Sequence, residues 1–148
     1  MTDGSFYRDI DKFNEIYRLP RNDMPTMLEL KRIRNFQNIL AEEVEEGGDI
    51  ADKYERIVAE KGRLSEQDRM EILTEMSDWL GDLVVYCTSE AKRWGIPLQE
   101  VLGVIMQSNF SKLDENGEPI YDERGKVMKG PGYWKPEPKI RQILERKS

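Results

Sequence analysis

Apolar residues recur at helical spacing through most of the chain, and the breaks between the runs mark out helices. Phe6, Ile10, Phe13 and Tyr17 predict a first helix over about 6–18. Leu19-Pro20 to Met24-Pro25 breaks it, because proline disfavours helix in the residue before it. Ile33, Phe36, Ile39, Leu40 and Val44 predict a second helix over about 26–46, stopped by Gly47-Gly48. Asp49 then caps a short, polar third helix over about 50–61. Ser65-Glu66-Gln67-Asp68 resembles a capping box, and the long helix after it, about 66–94, carries the widest apolar face. That face holds Ile72, Leu73, Met76, Trp79, Leu80, Leu83, Val84 and Cys87, and Cys87 is read as core. Gly95-Ile96-Pro97 separates it from a helix over about 98–111, with Val101, Leu102, Ile105 and Met106 inward. Beyond Leu113, turn clusters at Asp114–Gly117 and Asp122–Gly125 flank segments able to pair as a small hairpin. An aromatic Gly-Pro loop ending at Tyr133-Trp134 and a short basic helix follow. The expected fold is all-α: one domain, 1–148, a bundle of four to five helices with an irregular hairpin/loop extension over about 113–136.

One stretch breaks the binary pattern. In Glu42-Glu43-Val44-Glu45-Glu46, Glu43 falls inside the apolar arc of its helix, Glu42 and Glu46 lie at its edge, and only Glu45 points clearly to water. A carboxylate aimed at a core is costly unless a cation meets it. The long helix carries a counterpart: Glu75, Asp78 and Asp82, with Glu71 in the same sector, form an acidic stripe along one border of its apolar face. Packed antiparallel, the two helices can bring these groups together, where two or three divalent ions would relieve their repulsion.

Composition narrows the chemistry. The 148 residues contain no histidine, which removes Ser-His-Asp triads, Cys-His pairs and His-bearing zinc or di-iron sites. Carboxylate sites suit hard cations, and ions held this way activate water and clamp phosphates, so hydrolysis of a phosphoanhydride or phosphoester is the natural expectation. A net charge of −6 argues against a nucleic-acid polymer as partner. The longest apolar run, Leu83 to Cys87, is far short of a membrane span, and the first residues show no secretory signal. The single cysteine suits a reducing cytoplasm.

The residues also carry a resemblance. Glu42-Glu43-x-x-Glu46, followed by Glu75-x-x-Asp78, resembles the paired signature of the MazG-like all-α nucleoside triphosphate pyrophosphohydrolases. That superfamily includes the dimeric dUTPases and the phosphoribosyl-ATP pyrophosphohydrolases. Phe13–Pro20, Asp78–Tyr86, Trp94–Pro97, Asn109–Leu113 and Gly125–Tyr133 are similar to segments of its small single-domain members, so the likeness spans most of the chain.

The resemblance implies that Glu42, Glu43, Glu46, Glu75 and Asp78 bind Mg²⁺ or Mn²⁺, two or three ions per site. One of the Glu42/Glu43 pair could instead orient or deprotonate water. The implied reaction cleaves a (deoxy)nucleoside triphosphate to the monophosphate and pyrophosphate, with dGTP and dUTP the first substrates to test. Lys112 and Lys129 are the candidate cations for the leaving pyrophosphate, Lys112 with a catalytic role. The resemblance favours Asn109 as a contact to base or sugar. Asn38 and Asn35 could line the pocket, and Trp79 could stack on a base, although a core role suits it as well. Asp82 and Glu71 are open between site and surface roles. Family members are dimers or dimers of dimers, so at least a homodimer is expected. Two alternatives stand beside this reading: phosphoribosyl-ATP hydrolysis, and a non-catalytic helical regulator that uses the acidic face for binding.

Overall fold

In the computed structural model, which describes residues 4–148, the described residues form five helices and no strand. They are α1 (Gly4–Ile16), α2 (Leu30–Lys61), α3 (Glu66–Arg93), α4 (Leu98–Phe110) and α5 (Glu137–Lys147). None of them is long and apolar enough to cross a membrane. The chain divides into two compact units. One comprises the residues up to Arg21 with Met27–Trp94, and so holds α1, α2 and α3; the other comprises Asn22–Thr26 with Gly95–Ser148 and holds α4 and α5.

In the first unit α3 is the shared wall. Its start is fixed as the sequence suggests: Ser65 and Asp68 make a reciprocal capping box, and the pairing holds the Asp68 carboxyl below its usual range. α1 packs on its C-terminal half, burying Ile10, Asn14, Thr88 and Ala91. α1 ends in a Schellman-type turn, in which Leu19 N–H donates to Asn14 O and Arg18 N–H to Glu15 O. Arg18 takes the left-handed position of that turn, and Pro20 prevents the helix from resuming. α2 runs antiparallel to α3, as the pairings Arg32–Glu90, Lys53–Glu75 and Lys61–Asp68 show.

α2 corrects the expected break at Gly47-Gly48 and the separate third helix capped by Asp49. It is one helix of 32 residues that passes straight through the glycine pair. The reason lies across the interface. A Cβ on Gly47 would stand 2.6 Å from Cη2 of the Trp79 indole and 2.9 Å from its Cε2, whereas one on Gly48 would meet nothing within 4 Å. Gly47 is there to admit a tryptophan, not to stop a helix. The true stop is Gly62, in the left-handed conformation at the C-cap. α2 also begins four residues later than expected, at Leu30, because Thr26 is engaged in a local turn with the Met24 carbonyl.

A second correction concerns the apolar faces. Cys87, read as core, is exposed, and Val44, Leu73, Leu80 and Val84 are each more than half exposed. The apolar face of α3 is wider than α1 and α2 together can cover. Met70, Leu73, Leu80, Val84 and Cys87 lie along the uncovered side at alternating spacings of three, four and seven.

In the second unit α5 packs on α4, burying Ile143 and Val101, with Lys147 3.0 Å from Glu100. Ser108, buried, donates to the Trp134 carbonyl, which ties the aromatic loop to α4. Asp114 and Asp122 each accept two backbone N–H groups and so build the two expected turns. The expected hairpin shrinks to one antiparallel bridge, Tyr121 to Val127. Gly130 N–H donates to the Lys112 carbonyl, at a spot where any Cβ would collide with the Leu113 backbone.

Candidate metal centre and its recesses

The acidic stretch of α2 and the stripe of α3 meet in the first unit. One oxygen from each of Glu43, Glu46 and Asp82 lies within 4.8 Å of the others. Glu43 is the deepest of the acids on its own turn, as its phase predicts. It is half-buried, while Glu42, Glu45 and Glu46 are exposed. Its Oε2 is buried and without a hydrogen-bond partner. The Glu46 carboxyl is pushed up by the negative charge of Glu43 first, then by burial and by Asp82 and Asp78. Glu43 also raises the Tyr86 hydroxyl one turn beyond Asp82.

The α2 backbone is held in register at this point. The Trp79 indole N–H donates to the Glu43 carbonyl at 2.6 Å, with the ring lying on Gly47. Trp79, open between base stacking and a core role, thus ties α3 to the α2 backbone at Glu43. Asp82, open from sequence, is the α3 member of the cluster.

Glu75 and Asp78 face a neighbouring recess of about 360 Å³. Glu46, Asp49, Ile50, Lys53, Arg56 and Trp79 complete its lining. Glu75 already has a cation, since Lys53 Nζ lies 2.6 Å from its Oε1 and 3.5 Å from Glu71 Oε2. The Lys53 ammonium is raised by that hydrogen bond and the charges of both acids, and the Glu71 carboxyl is lowered by Gln67 and then Lys53. Glu46 thus borders two groups of acids: one with Glu43 and Asp82, the other with Glu75 and Asp78.

A larger cavity, about 480 Å³, opens on the other side. It is lined by the apolar side chains of Phe13, Leu19, Phe36 and Ile39 and closed by Arg32, Ser89, Glu90 and Arg93, while Asp82 and Tyr86 form its border with the acidic cluster. Glu90 is buried but fully engaged. Arg32 grips it with two nitrogens, and the Trp94 indole donates to it at 2.8 Å. Burial alone would raise its carboxyl, yet Arg32, Trp94 and Arg93 outweigh that and hold it below the usual range.

The remaining named residues are placed as follows. Asn38 and Asn35 are exposed on α2. In the second unit, Asn109 is exposed on the last turn of α4, its carbonyl accepting from Lys112 N–H. Lys112 is half-buried in the turn after α4, and the exposed Lys129 sits 4.9 Å over the Tyr133 ring. Sequence reasoning passed over Lys53, Arg56, Arg32 and Tyr86. Lys53 had a readable signal, because it follows Glu46 by seven residues and so shares its helical face.

The donor set fits a hard divalent ion. It is all oxygen, three carboxylates converge, and one buried carboxylate oxygen lacks any partner. The fold resembles a solved structure, that of a candidate NTP pyrophosphohydrolase from Exiguobacterium sp. 255-15. The TM-score is 0.51 and the sequence identity 24%, with 95% of this chain and 94% of that one covered. No protein-family model matches the chain, and no curated protein matches it in sequence.

Proposed function

We propose that this chain is a divalent-metal-dependent hydrolase that cleaves (deoxy)nucleoside triphosphates to the monophosphate and pyrophosphate. The observation that carries the reading is the buried, unpartnered Glu43 Oε2 beside Glu46 and Asp82, at the mouth of a cavity sized for a small molecule. Ligand sites are mostly apolar recesses of about 300–1,000 Å³ with a few polar groups, which describes that cavity. Glu43, Glu46 and Asp82 would hold Mg²⁺ or Mn²⁺, and Glu75 and Asp78, which share a recess with Glu46, would extend the ligand set. When bound, the ions neutralise the acids and supply the positive charge that phosphoanhydride hydrolysis needs.

The protein's own groups do the rest. The Phe13–Phe36–Tyr86 cavity takes the nucleoside, which directs the triphosphate towards the acids. Trp79 keeps Glu43 in place through its backbone, and Glu42, on the outer side of the same turn, orients the attacking water. The fold likeness to a candidate NTP pyrophosphohydrolase supports this class of reaction. The uncovered stripe on α3 supports a homodimer, since soluble chains rarely leave such apolar faces open.

The test is direct. Incubation with Mg²⁺ or Mn²⁺ and a panel of triphosphates, dGTP and dUTP first, should yield monophosphate and pyrophosphate by phosphorus NMR. Orthophosphate plus diphosphate, or no turnover of any nucleotide, refutes the reading. Phosphoribosyl-ATP in the same panel separates the biosynthetic alternative. Sedimentation as a monomer at micromolar concentration refutes the dimer.

A further inference from the structure

Among the described residues two buried side-chain polar atoms lack a hydrogen-bond partner, Oε2 of Glu43 and Nδ2 of Asn14. A divalent ion would satisfy the first. The second belongs to the other end of the same cavity. Asn14 is 1% exposed and follows Phe13, which supplies part of the cavity wall. Its Oδ1 accepts from the Ser89 hydroxyl at 2.9 Å, and Ser89 lines the cavity. Ser89 comes two turns after Asp82, so the two unpartnered atoms are anchored about 10 Å apart along α3. That separation is comparable with the reach of a nucleoside from base edge to 5′ carbon.

The other polar groups at this closed end are engaged. Arg32 and the Trp94 indole donate to Glu90, and Arg93 lies 3.7 Å from it. Ser89 gives its proton to Asn14. What the end lacks is an acceptor for the Asn14 amide hydrogens, and an unbonded interior N–H is costly until one arrives. A base entering edge-first leads with its exocyclic group. In guanine, hypoxanthine and uracil that group is an oxygen, which accepts; in adenine and cytosine it is an amino group, which sets N–H against N–H.

We propose that Asn14, held by Ser89, is a specificity-determining residue that selects nucleotides with an oxo base over those with an amino base. The proposal rests on the reading of this cavity as the nucleoside site and adds the chemical class of the base.

Two measurements on the full chain test it. Deoxyinosine and deoxyadenosine, which share a purine skeleton and differ at the position-6 edge, are titrated into metal-free protein and followed by NMR. Hydrolysis of dITP and dATP with Mg²⁺ is then compared as kcat/KM. Wild type should favour the oxo member of each pair about 10–100-fold. Asn14→Leu, which fills similar space without the amide, should bring both ratios close to one. Ser89→Ala, which releases the amide, should lower them several-fold and decides the matter if the leucine variant does not fold. A purely structural asparagine would weaken both members equally and leave the ratios unchanged. Equal or reversed preference in wild type overturns the proposal, and so do ratios that neither variant alters. Hydrolysis of dITP and dATP at equal rates would still leave the hydrolase reading intact. Selective binding of deoxyinosine without turnover of any triphosphate would sink that reading and support this one.

Discussion

The same pair of helices brings carboxylates into the interface in two places and treats them in opposite ways. Near the end of α3, Glu90 is 8% exposed and is met by Arg32, Trp94 and Arg93. Its charge is compensated, and its carboxyl lies below the usual range. Two turns back along α3, at Asp82, the facing acids are Glu43 and Glu46. There one buried oxygen has no partner, and Glu46 is pushed up by its neighbour. Burying charge is tolerable when the partner is built in, and otherwise leaves a local instability that a ligand can relieve. The first place reads as structure and the second as a site.

The largest effect should follow from removing the deepest acid. Glu43→Ala is expected to lower turnover about 10³-fold or more, since several kcal/mol of charge stabilisation is lost with the ion's anchor. The fold should survive, and the metal-free variant should be at least as stable as wild type, because repulsion with Glu46 is relieved. Circular dichroism with denaturant melts and a pyrophosphate-release assay read both quantities. Full activity in Glu43→Ala would break the contrast.

Arg32→Met is the mirror experiment. It strands a buried carboxylate, which costs about 3–5 kcal/mol when one partner of a buried pair is removed. Stability should fall sharply in urea. Binding of Mn²⁺ by whatever fraction remains folded should be near wild type. A change below about 1 kcal/mol would mean that Glu90 is hydrated rather than held.

The glycine pair gives a finer test, because two adjacent positions should respond with opposite signs. Gly48→Ala gains helix propensity of up to about 1 kcal/mol and meets nothing. Gly47→Ala drives a methyl into the Trp79 ring, at a cost of about 1–3 kcal/mol that outweighs the same gain. It should also disturb the Trp79–Glu43 hydrogen bond and weaken Mn²⁺ binding, which Gly48→Ala leaves alone. Equal shifts in melting temperature for the two variants would show that the tryptophan does not set the register.

These glycines also mark where the sequence could be read and where it could not. The inward phase of Glu43, the stripe through Glu75, Asp78 and Asp82, and the Ser65–Asp68 cap depend on residues within a turn or two of each other, so periodicity exposes them. The continuity of α2 depends on Trp79, 32 residues beyond Gly47, and local propensity favours the wrong answer there. The Arg32–Glu90 pair spans 58 residues, and a lone arginine on a helix gives no sign of its partner. Cys87 and Leu80 look like core in any helical projection. Their exposure depends on how much of α3 its neighbours cover, which pattern does not encode.

The smallest expected effect is a pH dependence confined to the compensated end. Burial raises the Glu90 carboxyl, but the hydrogen bonds from Arg32 and Trp94 and the nearby guanidinium charges lower it further, so the folded value lies below the unfolded one. The unfolded state therefore binds the proton first as pH falls, and the contribution of Glu90 to stability is present above its unfolded value and lost as pH drops through its folded one. One proton makes this slope at most about 1.4 kcal/mol per pH unit. Urea melts of metal-free wild type and Glu90→Gln over about pH 3–7 isolate it, because protonated glutamate and glutamine are nearly alike. The difference between the two proteins should be largest near neutrality and shrink towards acid. A difference that stays constant with pH would mean that Glu90 carries no net charge in the folded protein, and the two ends of the helix pair would no longer be distinguished by compensation.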